Sequence, residues 1–239
     1  MDIKEREEIK REFQLERMIL FSDAVFAIII TIMVLEMKVP EGIKQAGKEE
    51  LNEMVIDLLR KFAGYIISYF IVGAFWIKHL KIFSYLKDYT SKLIVYNLLF
   101  LFFISLFPFA AAILTETFSP RSLNGLYLYF SVVMSALFTQ TLLSGYLVNN
   151  ANELCINSQS IEKAMEWKSQ RLNYIALPLM VLFMAIAYIM DIQANIFTYV
   201  FIAWVAILTF VRKRYYPDTD NINEEPLIAK LFKGKRKAQ

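Results

Sequence analysis

Two ionisable side chains stand at the start of a long apolar run, in the stretch RMILFSDAVFAIIITIMVLE at residues 17–36. Arg17 opens the stretch, and Asp23 precedes an uncharged segment that continues to residue 35. A charged group inside a bilayer is costly, so such residues usually face protein or water and mark ion or proton pathways. The pattern therefore marks Arg17 and Asp23 as candidate functional residues.

The apolar run after Asp23 has one distinctive helical face. At 100° per residue, Ile28, Ile32 and Leu35 form an i, i+4, i+7 aliphatic stripe, and the Thr31 hydroxyl lies at its edge. Asp23 falls on nearly the opposite side of the helix. If the stripe lines a space, Asp23 packs into the protein behind it. Ordinary helix packing or lipid contact is the alternative explanation of the stripe.

A buried Asp23 carboxylate needs a partner, because an unpaired buried charge is strongly unfavourable. Arg17 lies on the same helix but too far round it for an unstrained pair. His79, the single histidine, and Arg17 of a neighbouring subunit are the two candidates. Trp76 lies three residues before His79 and so shares its helix face.

Other polar residues within the apolar runs predict contacts between helices. Asn97 is expected to hydrogen-bond to a neighbouring helix, as polar residues within membrane bundles commonly do. Pro108 is expected to kink its helix or to end the first half of it. A polar group in the fourth span indicates helix–helix contact, or less simply a water-facing surface: Thr139, Gln140, Thr141 and Ser144.

The composition identifies an all-α membrane protein. The 239 residues are 57% hydrophobic and have a mean hydropathy of +0.42. A helix needs about 20 apolar residues to cross the bilayer core. Alternating ten-residue segments that would indicate a barrel are absent from the sequence. We predict a single repeat of six transmembrane helices, at residues 17–36, 61–86, 93–115, 122–152, 172–190 and 192–211.

The positions of the basic residues predict the orientation in the cell membrane. Of the 26 lysines and arginines, 20 lie at the two ends or in the 78–92 and 163–171 loops, which predicts that both termini are cytosolic. We therefore expect a charged cytosolic segment at 1–16, a six-helix domain at 17–212 and a basic cytosolic tail at 213–239. No cleavable signal peptide is evident.

Several function classes are disfavoured by the composition. One cysteine, Cys155, allows no disulfide framework, and one histidine with one cysteine makes a His/Cys metal site within a subunit improbable. We expect no cofactor, no resident metal and no enzymatic activity, because few nucleophile–base sets are available. The net charge of +3 belongs to the cytosolic ends and predicts no nucleic-acid partner.

Three segments resemble one known family. The pattern R-x-x-x-F-S-D, formed here by Arg17, Phe21, Ser22 and Asp23, precedes AVFAIIITIMVLEM in the first span. FWIKHLKIF in the second span and NLLFLFFISLFPF in the third add support. Together they resemble transmembrane protein 175, the endosomal and lysosomal potassium channel, and its prokaryotic relatives, strongly over the first half and in the six-span layout overall.

The resemblance implies an assembly and a set of residue roles. One six-span unit per chain implies a prokaryotic type of homotetramer whose first helix lines a central pore. Ile28 would form the apolar constriction, Ile32 and Leu35 further apolar rings, and Thr31 would lie near a transient potassium ion. The implied structural and gating network that braces the pore helix consists of Arg17, Phe21, Ser22, Asp23, Trp76 and His79.

The expected function is therefore a potassium-permeable cation channel with a hydrophobic constriction. No TVGYG filter occurs, so only a modest preference for potassium over sodium is expected. Glu36 and Glu41 would lie near the non-cytosolic mouth and could raise the local cation concentration. Three alternatives remain: a proton- or ion-coupled secondary transporter using Asp23 and His79, a membrane enzyme, and a non-conducting scaffold or receptor.

Overall fold

The described part of the chain is helical. The computed structural model describes residues 3–35, 47–117, 124–156, 167–190 and 194–215, together with 37, 45 and 161. Five of its helical segments are long and apolar enough to cross a membrane, which agrees with a multi-pass membrane protein. The helices are α1 Ile3–Leu35, α2 Lys48–Phe83, α3 Ser91–Ser105, α4 Phe107–Thr117, α5 Asn124–Asn149, α6 Ala151–Leu154, α7 Trp167–Gln170, α8 Asn173–Ile189 and α9 Ala194–Tyr215.

Each predicted span overlaps one or two of these helices, although α1 and α2 begin 14 and 13 residues before the spans predicted at 17–36 and 61–86. The predicted fourth span is one helix, α5, and the predicted fifth span is α8. Helix α9 occupies the place of the predicted sixth span, and its role in crossing the membrane stays a prediction. The chain divides into two compact units, Met1–Tyr199 and Val200–Gln239. The domain boundaries predicted at 16/17 and 212/213 stay predictions, and Glu36, Glu41 and residues 216–239 lie outside the described part.

Helix α1 is one uninterrupted helix rather than a short charged helix followed by a span. It contains neither proline nor glycine, the two residues that most disfavour a helix interior. One face is buried along most of its length, at the three- and four-residue spacing that keeps side chains on one side. The residues of this buried face are Leu15, Met18, Ser22, Phe26, Ile29 and Met33.

The third span is divided near Pro108, as predicted. Helix α3 ends at Ser105, and α4 begins at Phe107. Proline has no N–H to continue the hydrogen-bond ladder, so the first helix stops just before it. At the other end of α3, the Thr90 hydroxyl accepts a hydrogen bond from the Leu93 N–H at 3.2 Å and caps the helix.

Two apolar clusters form the core. The first contains Leu15, Leu93, Leu143 and Leu147 among others, and the second contains Phe26, Phe75, Phe100, Ile104 and Phe107 among others. In chain order, each of α1, α2, α3 and α5 passes from one cluster to the other through a buried polar residue. We call these four residues the polar layer: Ser22, His79, Asn97 and Gln140.

The α2–α3 loop is fastened to the segment after α5. Leu86 and Cys155 form an antiparallel bridge, and the Lys87 N–H donates to the Leu154 carbonyl at 2.9 Å. The Lys87 ammonium also donates to the Asn152 carbonyl at 3.0 Å. Burial raises the pKa of the Cys155 thiol to about 11, although the nearby Lys87 charge acts in the opposite direction.

Candidate pore helix and its polar layer

The aliphatic stripe of α1 is left uncovered by the rest of the chain. Ile28, Ile32 and Leu35 are 55%, 38% and 72% exposed. Their neighbours Ile29 and Met33, on the buried face, are only 4% and 3% exposed. The helix therefore presents a large apolar surface to lipid, to another copy of the chain or to a pore.

Thr31 lies at the edge of this stripe and is also exposed. Its hydroxyl donates to the Ile28 carbonyl at 2.8 Å and shares that proton with the Ala27 carbonyl at 3.1 Å. Since the proton is used within the helix, the lone pairs of the Thr31 oxygen remain available as acceptors. Such an oxygen can replace one water around a passing cation.

An apolar groove of about 410 Å³ lies beside the stripe. Helix α1 forms one wall, and the region of the break between α3 and α4 forms the other. The lining residues are Val25, Ile28, Ile29, Ile32, Ser105, Pro108, Phe109 and Ala112.

Behind the stripe, the polar layer contains a directional chain of hydrogen bonds. His79 Nε2 donates to Asn97 Oδ1, Asn97 Nδ2 donates to Ser22 Oγ, and the Ser22 hydroxyl donates to the Met18 carbonyl, each at 2.9 Å. Because the Asn97 oxygen can only accept, His79 must carry its proton on Nε2. Three helices are thus joined through side chains that are almost completely buried.

Aromatic rings surround the His79 imidazole. Phe83 stacks on it with ring centroids 4.0 Å apart, and Phe100 stacks at 5.6 Å. Phe26 of α1 adds a tilted contact at 5.7 Å. The hydrogen bond to Asn97 is therefore shielded from water, which strengthens it and makes its loss costly.

Asp23 has a partner that the sequence analysis did not consider for it. Its Oδ1 accepts a hydrogen bond from the Trp76 indole N–H at 3.0 Å. Among the described residues no hydrogen bond joins Asp23 to His79, whose Nε2 is bonded to Asn97. Asp23 and His79, the two residues of the alternative coupled transporter, therefore belong to different hydrogen bonds, one between α1 and α2 and the other between α2 and α3.

The remaining motif residues lie outside these contacts. Arg17 is exposed, and its guanidinium lies over the Phe13 ring at 5.9 Å. Phe21 is also exposed. The structure thus brings Ser22, Asp23, Trp76 and His79 to the interface between α1 and its neighbours, and it leaves Arg17 and Phe21 on the open side of the helix.

Two residues of the polar layer were assigned only packing roles from the sequence. Asn97 joins His79 to Ser22, and its isolated position within an apolar run was the available signal. Gln140 is fully buried and donates to the Phe75 carbonyl at 3.4 Å, while its Oε1 lacks a hydrogen-bond partner within the described residues. The predicted interhelical role of Asn97 is confirmed.

Comparison with known proteins identifies several proteins whose sequences are similar to part of this chain. Residues 17–108 match the sequence model of the family described as endosomal/lysosomal potassium channel TMEM175. A protein of Chryseobacterium sp. (strain P1-3) named as a potassium channel is 43% identical over 90 residues, 38% of this chain and 43% of that protein. The endosomal/lysosomal proton channel TMEM175 of Danio rerio is 28% identical over 197 residues, 82% of this chain and 36% of that protein.

A solved structure has the same fold. The crystal structure of a lysosomal potassium-selective channel TMEM175 homolog from Chamaesiphon minutus matches with a TM-score of 0.55 and 23% identity, over 72% of this chain and 97% of that one. The chain spans less than half the length of the curated relatives that it matches. Residues 17–108 are thus similar in sequence to the TMEM175 family, and the described helices have the fold of the Chamaesiphon minutus homolog.

Proposed function

We propose that this protein is a potassium-permeable cation channel whose first helix forms a hydrophobic constriction. The observation that carries the proposal is the division of α1 into two faces. One face is held by the core and the polar layer, and the other presents Ile28, Ile32 and Leu35 without cover. A pore helix needs this arrangement, because its inner face must meet ions while its outer face is fixed.

The constriction is the ring of Ile28 side chains contributed by several copies of α1. A narrow apolar ring excludes water and ions, and a slightly wider one admits hydrated cations. Thr31, with its available lone pairs, lies one turn further along and offers an oxygen ligand to potassium. Selectivity without a carbonyl filter is modest, so potassium is preferred over sodium only moderately.

The channel is a homotetramer of six-span subunits in the cell membrane, with both termini cytosolic. The related proteins named as potassium channels and the matching fold support a membrane channel, and the distribution of basic residues supports the orientation. The tetramer is proposed from the resemblance of the first three spans to the prokaryotic channels. The contacts of Ser22 and Asp23 brace α1 against α2 and α3 and set the width of the ring. Arg17 and Phe21, on the open side of α1, contribute to this network from a neighbouring subunit.

The test is single-channel recording of the purified protein in planar bilayers, with potassium on one side and sodium on the other. Ile28→Asn places an amide in the ring, so we expect larger currents or weaker potassium preference than in the wild type. Val34→Asn is the matched control, because Val34 is an exposed aliphatic residue of α1 outside the stripe. It should leave both quantities unchanged.

Equal effects of Ile28→Asn and Val34→Asn would contradict a constriction at Ile28. Absence of current from all three proteins, together with saturable and stoichiometrically coupled uptake into liposomes, would favour a carrier over a channel. Asp23→Asn and His79→Gln would then be the next variants to measure.

A further inference from the structure

Toward the N-terminus, the contact surface of α1 continues beyond Leu15, its first buried apolar residue, to a charged side chain. The Arg11 guanidinium donates to Asp88 Oδ2 at 3.0 Å, and Asp88 belongs to the α2–α3 loop. Among the described residues, this is the one salt bridge that joins two separate elements, since the Lys61–Asp57 pair lies within α2. The contact connects positions that are 77 residues apart in the chain.

The Asp88 carboxylate is well oriented to accept the hydrogen bond from Arg11. While Oδ2 binds Arg11, Oδ1 accepts a hydrogen bond from the Tyr89 N–H at 2.7 Å, which orients the carboxylate. The loop around it is fastened by the bridge between Leu86 and Cys155. Arg11 therefore contacts a fixed point rather than a freely moving side chain.

The same loop leads directly into α3, which also holds α1 further along. Thr90 caps α3, and Asn97 of α3 donates to Ser22 of α1. Helix α1 is thus attached to one structural unit at two places, Arg11 and Ser22. Eleven residues separate them, or about 16 Å along a helix at 1.5 Å per residue.

The ion pair is too exposed to contribute much to the stability of the fold. The side chains of Arg11 and Asp88 are 65% and 28% exposed, so water and salt weaken their attraction. The pair does, however, join the N-terminal part of α1 to the α2–α3 loop, and α1 continues from there to Ile28 as one unbroken helix. A contact that is weak for folding can still bias two orientations of a helix.

We propose that Arg11 and Asp88 are a positioning pair that sets the orientation of the pore helix from outside the membrane. The proposal rests on the proposed channel function. Breaking the pair removes the bias on α1 and changes the fraction of time for which the Ile28 ring conducts. The current through an open channel stays the same, because neither residue belongs to the ring.

The variants Arg11→Gln and Asp88→Asn test the pair in planar bilayers. Each should change the open probability by up to about fivefold per subunit, the factor that corresponds to about 1 kcal/mol. Combining R11D with D88R restores opposite charges and should return the open probability toward the wild-type value. Lys61→Gln, which removes the partly exposed pair within α2, is the control and should have no effect.

Cys155 reports whether the loop itself stays intact. It is the single cysteine, and its thiol is buried under the loop, so a maleimide should label it slowly in the wild type and equally slowly in each variant. Rapid labelling of Arg11→Gln would show that the loop had opened. That result would overturn the proposal, because loop opening rather than helix position would explain the change in opening.

Conduction and helix position can be separated by a second measurement. In a Cys155→Ser background, spin labels introduced by Ile9→Cys and Ser84→Cys report the distance between the N-terminal part of α1 and the α2–α3 loop. Adding Arg11→Gln should broaden this distance distribution. An unchanged distribution, or unchanged opening in a conducting wild-type channel, would refute the positioning role. A silent wild type with a broadened distribution would refute the channel function instead.

Discussion

Asn97 is the side chain on which the polar layer depends. Its amide accepts from His79 and donates to Ser22, so it satisfies two buried groups on two other helices. Removing one partner of a buried hydrogen bond lowers the stability of the fold by more than that bond contributes to it, because the other partner stays buried and unpaired. The residue therefore specifies how α1, α2 and α3 align, in addition to stabilising them.

The substitution Asn97→Ala should lower the free energy of unfolding by about 1–3 kcal/mol for each buried group that is left unpaired. Thermal unfolding of the detergent-purified protein measures the change. Ser105→Ala is the control, because the exposed Ser105 hydroxyl bonds only to the Phe102 carbonyl of its own helix. An equal unfolding temperature for both variants would show that Asn97 is dispensable.

At the residue scale, the sequence predicted which side of a helix a residue lies on better than it predicted hydrogen-bond partners. Helical spacing alone placed Ile28 and Asp23 on opposite sides of α1, and Ile28 is exposed while Asp23 contacts α2. The same reasoning proposed His79 for Asp23, whereas Trp76 is the partner. Both residues lie on one face of α2, one turn apart, and only the relative depth of α1 and α2 decides between them.

At the scale of elements, the break near Pro108 was predictable and the contacts made by loops were not. Pro108 predicted the break after α3, because the missing N–H acts locally. The bridge between Leu86 and Cys155 and the Arg11–Asp88 pair connect distant parts of the chain. Neither has a local pattern, since each exists only after the helices have packed.

The contact of α5 with α7 and α8 depends on one glycine. A Cβ on Gly145 would lie 2.6 Å from the Trp167 ring, and it would also meet the Tyr174 hydroxyl. The helices can approach this closely only because that side chain is absent. The contact buries Trp167 and anchors the segment that follows α5.

Gly145→Ala should therefore lower the thermal unfolding temperature, even though alanine is the better helix former. Gly73→Ala is the matched control, because a Cβ there has nothing within 4 Å of it. That variant should be neutral, or more stable by up to about 1 kcal/mol. If Gly145→Ala were equally tolerated, the close approach would not be important for packing.

At the scale of the whole molecule, the exposed stripe and groove form an apolar surface that either another copy of the chain or lipid must cover. Large contiguous apolar surfaces usually meet a partner or lipid. Within the bilayer, lipid can cover any such surface, so exposure alone does not fix the number of subunits. The tetramer comes from the proposed channel function and needs its own measurement.

Native mass spectrometry of the detergent-solubilised protein should show four copies of the 27.9 kDa chain. The tetramer should persist in Ile28→Asn, because in the proposed channel the ring lines the pore rather than the contacts between subunits. A single copy, or two copies, as the dominant species would contradict the assembly. A loss of the tetramer in Ile28→Asn would move the stripe from the pore to a subunit interface.

In the proposed channel, the unbroken α1 helix would act as a lever. Ser22, which Asn97 of α3 holds, would be its pivot, with Arg11 at the end of one arm and Leu35 at the end of the other. At 1.5 Å per residue these arms are about 16 Å and 20 Å long, and Ile28 lies about 9 Å from the pivot. If the helix tilted as a rigid body, a sideways movement at Arg11 would arrive at Ile28 in the opposite direction and at roughly half the amplitude. Since a hydrophobic ring responds to small changes in width, such a tilt would alter the wetting of the proposed ring.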